Sequence, residues 1–249
     1  ETPNICNIIP SGPYEMADID KAGGIPAVLN RLKDKIKDSP TVNGSSIKKI
    51  AEEGKVANNE VIRPLTAPYF KEGGIAVLKG NIANSSVVKQ TAVEKGMMKH
   101  SGPAKVFYTE EDLLKAIPNK KIKEGDVVVL SFMGCAGAPG MPEMLTLTDA
   151  IKGAGFKKVA LLTDGRFSGG TSGPCIGHIE PEAYNNGAIA AIKDGDIIEI
   201  DIPARKINVK LTDKEIKERL KKVKAPERKL TPMLKVYREK FSKVNCYGK

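Results

Sequence analysis

VALLTDGRFSGGTSGPCIGHIEPEAYNNG, residues 159–187, is the stretch on which the reading turns. Residues 159–162 form an apolar run that breaks into Thr163-Asp164-Gly165-Arg166, the pattern of a buried strand delivering its carboxyl end to a turn. Ser168 follows, between Phe167 and the pair Gly169-Gly170. Lacking Cβ atoms, those glycines let backbone N–H groups approach a ligand closely and stabilise an oxyanion. Taken alone, a stretch of glycines and small polar residues reads first as a surface turn. It matches neither the G-x-S-x-G nucleophile elbow nor a phosphate loop with its Lys-Ser/Thr ending.

A second segment shifts the balance. The strand-like residues 126–132, DVVVLSF, run into GCAGAPGMPEM at 134–144. Two strands that end in glycine-rich loops, one carrying a carboxylate (Glu143) and the other a serine, form two lips of one site at the edge of a parallel sheet.

Composition narrows the field. With 249 residues and 41% hydrophobic content the chain can bury one large core or two modest ones. No apolar run is long enough to cross a bilayer and no charged-then-apolar leader opens the chain, so a soluble, cytoplasmic protein without a membrane partner is expected. Lys and Arg total 40 against 30 acids, a net +10. The lysines alternate with acids, as in KEIKER at 214–219, and aromatic residues are only 5%, which argues for solvated helix faces and against nucleic acid. Cys6, Cys135, Cys175 and Cys246 form no C-x-x-C and are expected as four reduced thiols.

Along the chain, residues 18–36 carry helical periodicity, 45–53 a second short helix, and 58–68, with two prolines, a linker. Strands are predicted at 75–78, 105–108, 126–132 and 159–162, with helices starting at Thr109 and Leu145. Residues 196–202 and 206–211 alternate apolar and polar as a hairpin, Thr212-Asp213 caps a charged helix, and a last helix covers about 232–242.

The ordered set GMPEM (140–144), TDGRFSGGTSG (163–173) and IGHIEPEA (176–183) resembles the dihydroxy-acid dehydratase and 6-phosphogluconate dehydratase family. Further landmarks in the family's order are PSG at 10–12, AGGIPAV at 22–28, EVIRP at 60–64, GGIAVLKGN at 73–81, GPA at 102–104 and DGD at 194–196. The resemblance implies residues 1–62 as the helical tail of an αβα amino-terminal domain. It implies residues 63–249 as a compact α/β domain of β/β/α swivelling, barrel-like type, with mixed strands and flanking helices. Family members are roughly twice this long, and their amino-terminal half holds an iron–sulfur cluster on three cysteines, with acidic residues and a modified lysine for Mg²⁺. Those cluster ligands have no counterpart here. The chain begins at Glu1 without an initiator methionine and is expected as a fragment, a processed product or one part of a split enzyme, partnered by the amino-terminal half in the same or a separate chain and dimeric when complete.

The resemblance also implies roles. Ser168 is the proton acceptor, with Gly169, Gly170 and Thr171 as its helpers and substrate contacts, and Glu143 is a Mg²⁺ ligand. By spacing alone Glu143 is equally a helix N-terminal acid facing a dipole. Arg166 either clamps the carboxylate of a small dihydroxy acid or pairs with Asp164 to order the loop. His178 reads as a shuttle or as an imidazole anchored by backbone. The implied reaction is dehydration of 2,3-dihydroxy-3-methyl acids to 2-oxo acids in branched-chain amino acid synthesis. Sugar acids or 6-phosphogluconate are the alternative substrates, and a non-catalytic binding or assembly module of the same fold is the alternative role. The chain departs from the family at Met133 and Ala136, where many members carry Glu and Lys, and at Pro13 within the SGKY segment.

Overall fold

The computed structural model describes residues 2–241, which divide into one unit up to Gly74 and a second from Ile75 on. In the first, α1 (Met16–Lys21), α2 (Gly24–Arg31) and α3 (Ile47–Glu53) are short helices. The single helix expected over 18–36 is broken at Gly23 and Gly24, whose φ angles of 120° and 67° lie where L side chains are strained. A Cβ on Gly23 would also meet the Lys55 carbonyl oxygen at 2.1 Å, so the break is where the chain packs on the segment after α3. Residues 58–68 carry no helix or strand. Yet Val61 and Ile62 are buried with Ile19, Ala22 and Ala27, which makes the segment part of this unit's core and not a free linker.

The second unit holds β1 (Ile75–Leu78), β2 (Ser85–Lys89), β3 (Lys99–Phe107), β4 (Val127–Leu130), β5 (Ala160–Thr163), β6 (Cys175–Glu180), β7 (Ile197–Asp201) and β8 (Lys206–Val209). They form one sheet in the order β1-β2-β6-β5-β4-β3-β7-β8. β3, β4, β5 and β6 pair in parallel, and the remaining pairs are antiparallel. The two edges meet: Lys79, just past β1, bridges Lys206 of β8. Its N–H donates to Arg205 O at 3.0 Å and its carbonyl accepts from Ile207 N–H at 3.1 Å. The sheet is therefore a nearly closed, mixed barrel, which removes most of the exposed edge an open sheet would carry.

Burial follows from this closure. Val127, Val129, Ala160 and Leu162 belong to the cluster inside the barrel. Val128, Leu130 and Leu161 point outward into a second cluster with Leu113 of α4 (Glu110–Ala116) and Leu147 of α5 (Leu145–Gly153). Two-sided burial explains why β4 and β5 read as continuous apolar runs. Thr212 and Glu215 form a capping box on α6 (Asp213–Leu220), and α7 spans Pro232–Phe241; Ser242, the expected end of that helix, and Cys246 lie outside the described residues.

Three strand assignments differ from the sequence reading. β3 starts at Lys99, because its first half pairs only with β7 and so tolerates Pro103. β2 and β6 carry no strong period-2 signal, and β6 contains Gly177 and a His178 at φ 52°. Cys6 and Cys175 are free thiols, as expected of them. Among the described residues no helix is long and apolar enough to cross a membrane.

Candidate active site

β4 and β5 are parallel neighbours with Leu130 opposite Thr163, so both chains leave the sheet at one edge, where open α/β sheets bind ligands. Asp164 joins the two exits. Its buried carboxyl group accepts from the N–H groups of Phe132 at 3.1 Å, Met133 at 2.8 Å and Ala183 at 2.8 Å. Burial raises its pKa, and those backbone donors oppose the rise. The staple also helps explain how Phe132 is held at a φ of 63°, a region that costs a bulky residue energy.

Further along, Glu143 and Arg166 pair as a parallel β-bridge. Arg166 donates from Nε to Met141 O at 3.3 Å, so it orders the carboxylate loop. Glu143 itself is exposed, one residue before the Met144 N-cap of α5.

In the serine loop, Ser168 Oγ accepts from Gly170 N–H at 3.1 Å, and Thr171 N–H donates to Ser168 O at 3.1 Å. Thr171 is buried, its Oγ1 3.5 Å from Thr148 Oγ1 of α5. A Cβ built on Gly170 would lie 3.8 Å from Leu145 Cδ1, which sets the loop beside the first turn of α5. That helix has no side-chain cap, and an uncapped N-terminus presents unsatisfied N–H groups and partial positive charge. A Cβ on Gly169 would meet nothing within 4 Å, so packing inside the chain does not require a glycine there.

Two neighbouring side chains are electrostatically quiet. Burial, with the nearby Arg166 charge, holds His178 below the usual imidazole value, so it is neutral at pH 7. Burial pushes the Cys175 thiol up to about 12, which leaves it protonated and unreactive.

Sequence reasoning missed the groups behind the site. Glu182 is buried and accepts from Ala136 N–H at 3.1 and 3.2 Å and from Asn185 Nδ2 at 3.0 Å. Burial pushes its carboxyl up to about 7 despite those donors, with the Asp164 charge adding and Arg238 opposing. Arg228 donates to Tyr108 O at 2.7 Å and Phe132 O at 3.1 Å, and Arg238 to Gly137 O at 3.1 Å. Met133 and Ala136, the two departures, are both buried, and the loop is braced through its backbone. Only the PE pair in IGHIEPEA hinted at Glu182; nothing local marked the arginines.

Among the described residues no three His, Cys, Asp or Glu side chains gather as a metal group. The Glu143 carboxylate is an oxygen donor of the kind hard cations take, and it can supply one ligand. The described cysteines, Cys6, Cys135 and Cys175, are not gathered in one place and do not fit an iron–sulfur cluster.

A nearly closed, mixed barrel that brings a carboxylate loop and a serine loop together at the carboxyl ends of adjoining parallel strands defines an α/β domain with its loops gathered at the edge where such sheets bind ligands. The chain belongs to the dihydroxy-acid/6-phosphogluconate dehydratase family: the profile of that family's C-terminal domain matches residues 60–246 and that of its N-terminal domain residues 1–51. Relatives named dihydroxy-acid dehydratase include one from Thermodesulfovibrio yellowstonii, 56% identical over 92% of this chain and 42% of that protein. Others are from Methanothermobacter thermautotrophicus, 51% identical over 95% and 44%, and Methanococcus vannielii, 54% identical over 92% and 42%. The chain thus spans less than half the length of these curated relatives.

Proposed function

We propose that this chain supplies the proton acceptor and one metal ligand of a hydro-lyase that converts 2,3-dihydroxy-3-methyl carboxylic acids to 2-oxo acids in the cytoplasm. The observation that carries the reading is the Glu143–Arg166 bridge, which holds the carboxylate loop against the stem of the serine loop. The name that the relatives carry, dihydroxy-acid dehydratase, supports a dihydroxy acid as the substrate.

In this reading Ser168 Oγ, as the alkoxide, takes the proton from C2, the C3 hydroxyl leaves with its bonding pair and takes up a proton to depart as water, and the enol gains a proton at C3 as its hydroxyl loses one, giving the 2-oxo acid. A serine hydroxyl is not ionised at neutral pH unaided; the Gly170 N–H on its oxygen and the N-terminus of α5 beside the loop favour the anion. Glu143 would hold a magnesium ion on this side, and the cation would supply positive charge to stabilise the developing anion. Thr171 and Gly169 shape the wall around the reacting carbon, and Arg166 keeps the two loops in register. The remaining ligands, and any iron–sulfur cluster, belong to the amino-terminal half, so the complete enzyme is that half joined to this one, as a homodimer.

The test is Ser168→Ala in the complete enzyme, assayed for 2-oxo acid formation. A fall in kcat on the order of 10²–10⁴-fold is expected for loss of a general base; unchanged turnover removes Ser168 from the chemistry and leaves the chain a binding or assembly module.

A further inference from the structure

Ser168 opens onto a cavity of about 190 Å³ whose walls include Ile75, Val87 and Phe167 as well as Lys89. The three walls are apolar, and Ile75 is left 66% exposed there. Lys89, the last residue of β2, is half-buried, and its Nζ donates to the Gly169 carbonyl in the serine loop. Among the described residues no carboxylate pairs with it. Burial accordingly pulls its pKa below the usual amine value.

A cation taken partly out of water without a counter-charge is costly, and it is satisfied by an anion that arrives with the ligand. The surrounding chemistry specifies that anion. The polar groups lining the cavity, Ser168, Thr171 and His178, stand apart from the Ile75, Val87 and Phe167 side chains. Hydroxyls laid on those three hydrocarbon walls would lose water without finding partners there, whereas a short aliphatic branch suits them.

We propose that Lys89 is the anchor for the substrate carboxylate, and that Ile75, Val87 and Phe167 receive its aliphatic branch, fixing C2 of the acid beside Ser168. Lys89 then binds and positions, while the proton moves at Ser168. The inference rests on the reading of Ser168 as the base only for the orientation of C2; the anchor itself stands on the cavity. It also separates substrates within the family, since a sugar acid would present hydroxyls to the apolar walls.

The experiment is calorimetric and needs no turnover. In the complete enzyme, the dissociation constants of 2-hydroxy-3-methylbutanoate and of its neutral primary amide are measured for the parent, Lys89→Met, Lys89→Arg and Ser168→Ala. Neither probe has the C3 hydroxyl that leaves, so neither reacts. The parent and Ser168→Ala are expected to bind the acid at least tenfold more tightly than the amide, Lys89→Met to bind the two within about twofold, and Lys89→Arg to restore the preference. A Lys89→Met enzyme that keeps the parent's ratio, or a parent that shows no preference for the acid, overturns the proposal. Turnover surviving in Ser168→Ala with the ratio lost in Lys89→Met would sink the base and leave the anchor standing.

Discussion

Glu143 and Arg166 lie opposite one another in a parallel β-bridge, although 22 residues and a helix separate them in sequence. The pairing is an isolated bridge beyond the regular strands, and it places the acid of one loop opposite a residue two positions before Ser168 of the other. Neither loop could hold this geometry alone, because their conformations include left-handed residues such as Phe132 and Met141. The surrounding hydrogen bonds from Asp164 and Arg166 over-determine them.

The metal-ligand role predicts a metal-dependent defect. Glu143→Gln in the complete enzyme is expected to raise the Mg²⁺ concentration for half-maximal activity by on the order of tenfold or more, since a neutral amide oxygen binds a hard cation less well. Titrating activity against Mg²⁺ after chelator treatment checks this, and an unchanged curve rejects the ligand.

Asp164 is expected to matter for stability as much as for activity. Asp164→Ala strands three buried N–H donors, at about 1–3 kcal/mol for each group left unsatisfied. Urea unfolding of this chain should show a loss of at least about 3 kcal/mol; a loss below 1 kcal/mol would mean that the loop reorganises around the gap.

Gly169 separates packing from chemistry. A Cβ there meets nothing and its φ is not in the left-handed region, so Gly169→Ala should change stability by less than about 0.5 kcal/mol. In the complete enzyme the same change is expected to lower kcat/KM by roughly tenfold, because the new methyl occupies space next to Ser168. Unaltered kcat/KM would place substrate on another side of the loop.

Glu182 gives the unfolding curve a pH dependence with a definite sign. Its folded pKa, about 7, is above the usual carboxyl value because burial disfavours the charge. The folded state therefore holds a proton that the unfolded chain has already lost. Stability from this group is fully present below about pH 4.3, the usual Glu value, and is lost as pH rises towards 7, at up to roughly 1.4 kcal/mol per pH unit. The groups that face it are Asp164, whose charge adds to the shift, and Arg238, which opposes it. Glu182→Gln removes the titration, so chemical denaturation between pH 4.5 and 7 should show a flatter dependence than the parent; parallel curves would refute the assignment.

The elements that announced themselves are those whose local chemistry is sufficient. β4 and β5 are apolar throughout because both faces are covered, α4 and α6 begin with Thr109 and Thr212 as hydrogen-bonding caps, and the β7–β8 hairpin alternates around a turn. The serine and carboxylate loops read as turns from their own residues, and their kinship to one family was legible from their order. What escaped were strands whose pairing is non-local. β2 and β6 are held by partners distant in the chain, and the second of them carries a left-handed histidine.

Sequence by itself determined where the two glycine-rich loops lie and which segments are buried strands, because side-chain type, glycine placement and hydrophobic period are properties of the chain. Tertiary structure alone decided that Glu143 stands beside the serine loop, that Arg166 serves Met141, that Glu182 is kept from water, and that Lys89 faces the Ser168 cavity. Each of those facts depends on the pairing of segments distant in sequence, which brings them within hydrogen-bonding distance and removes water from between them. No local pattern encodes a contact whose energy exists only after that pairing.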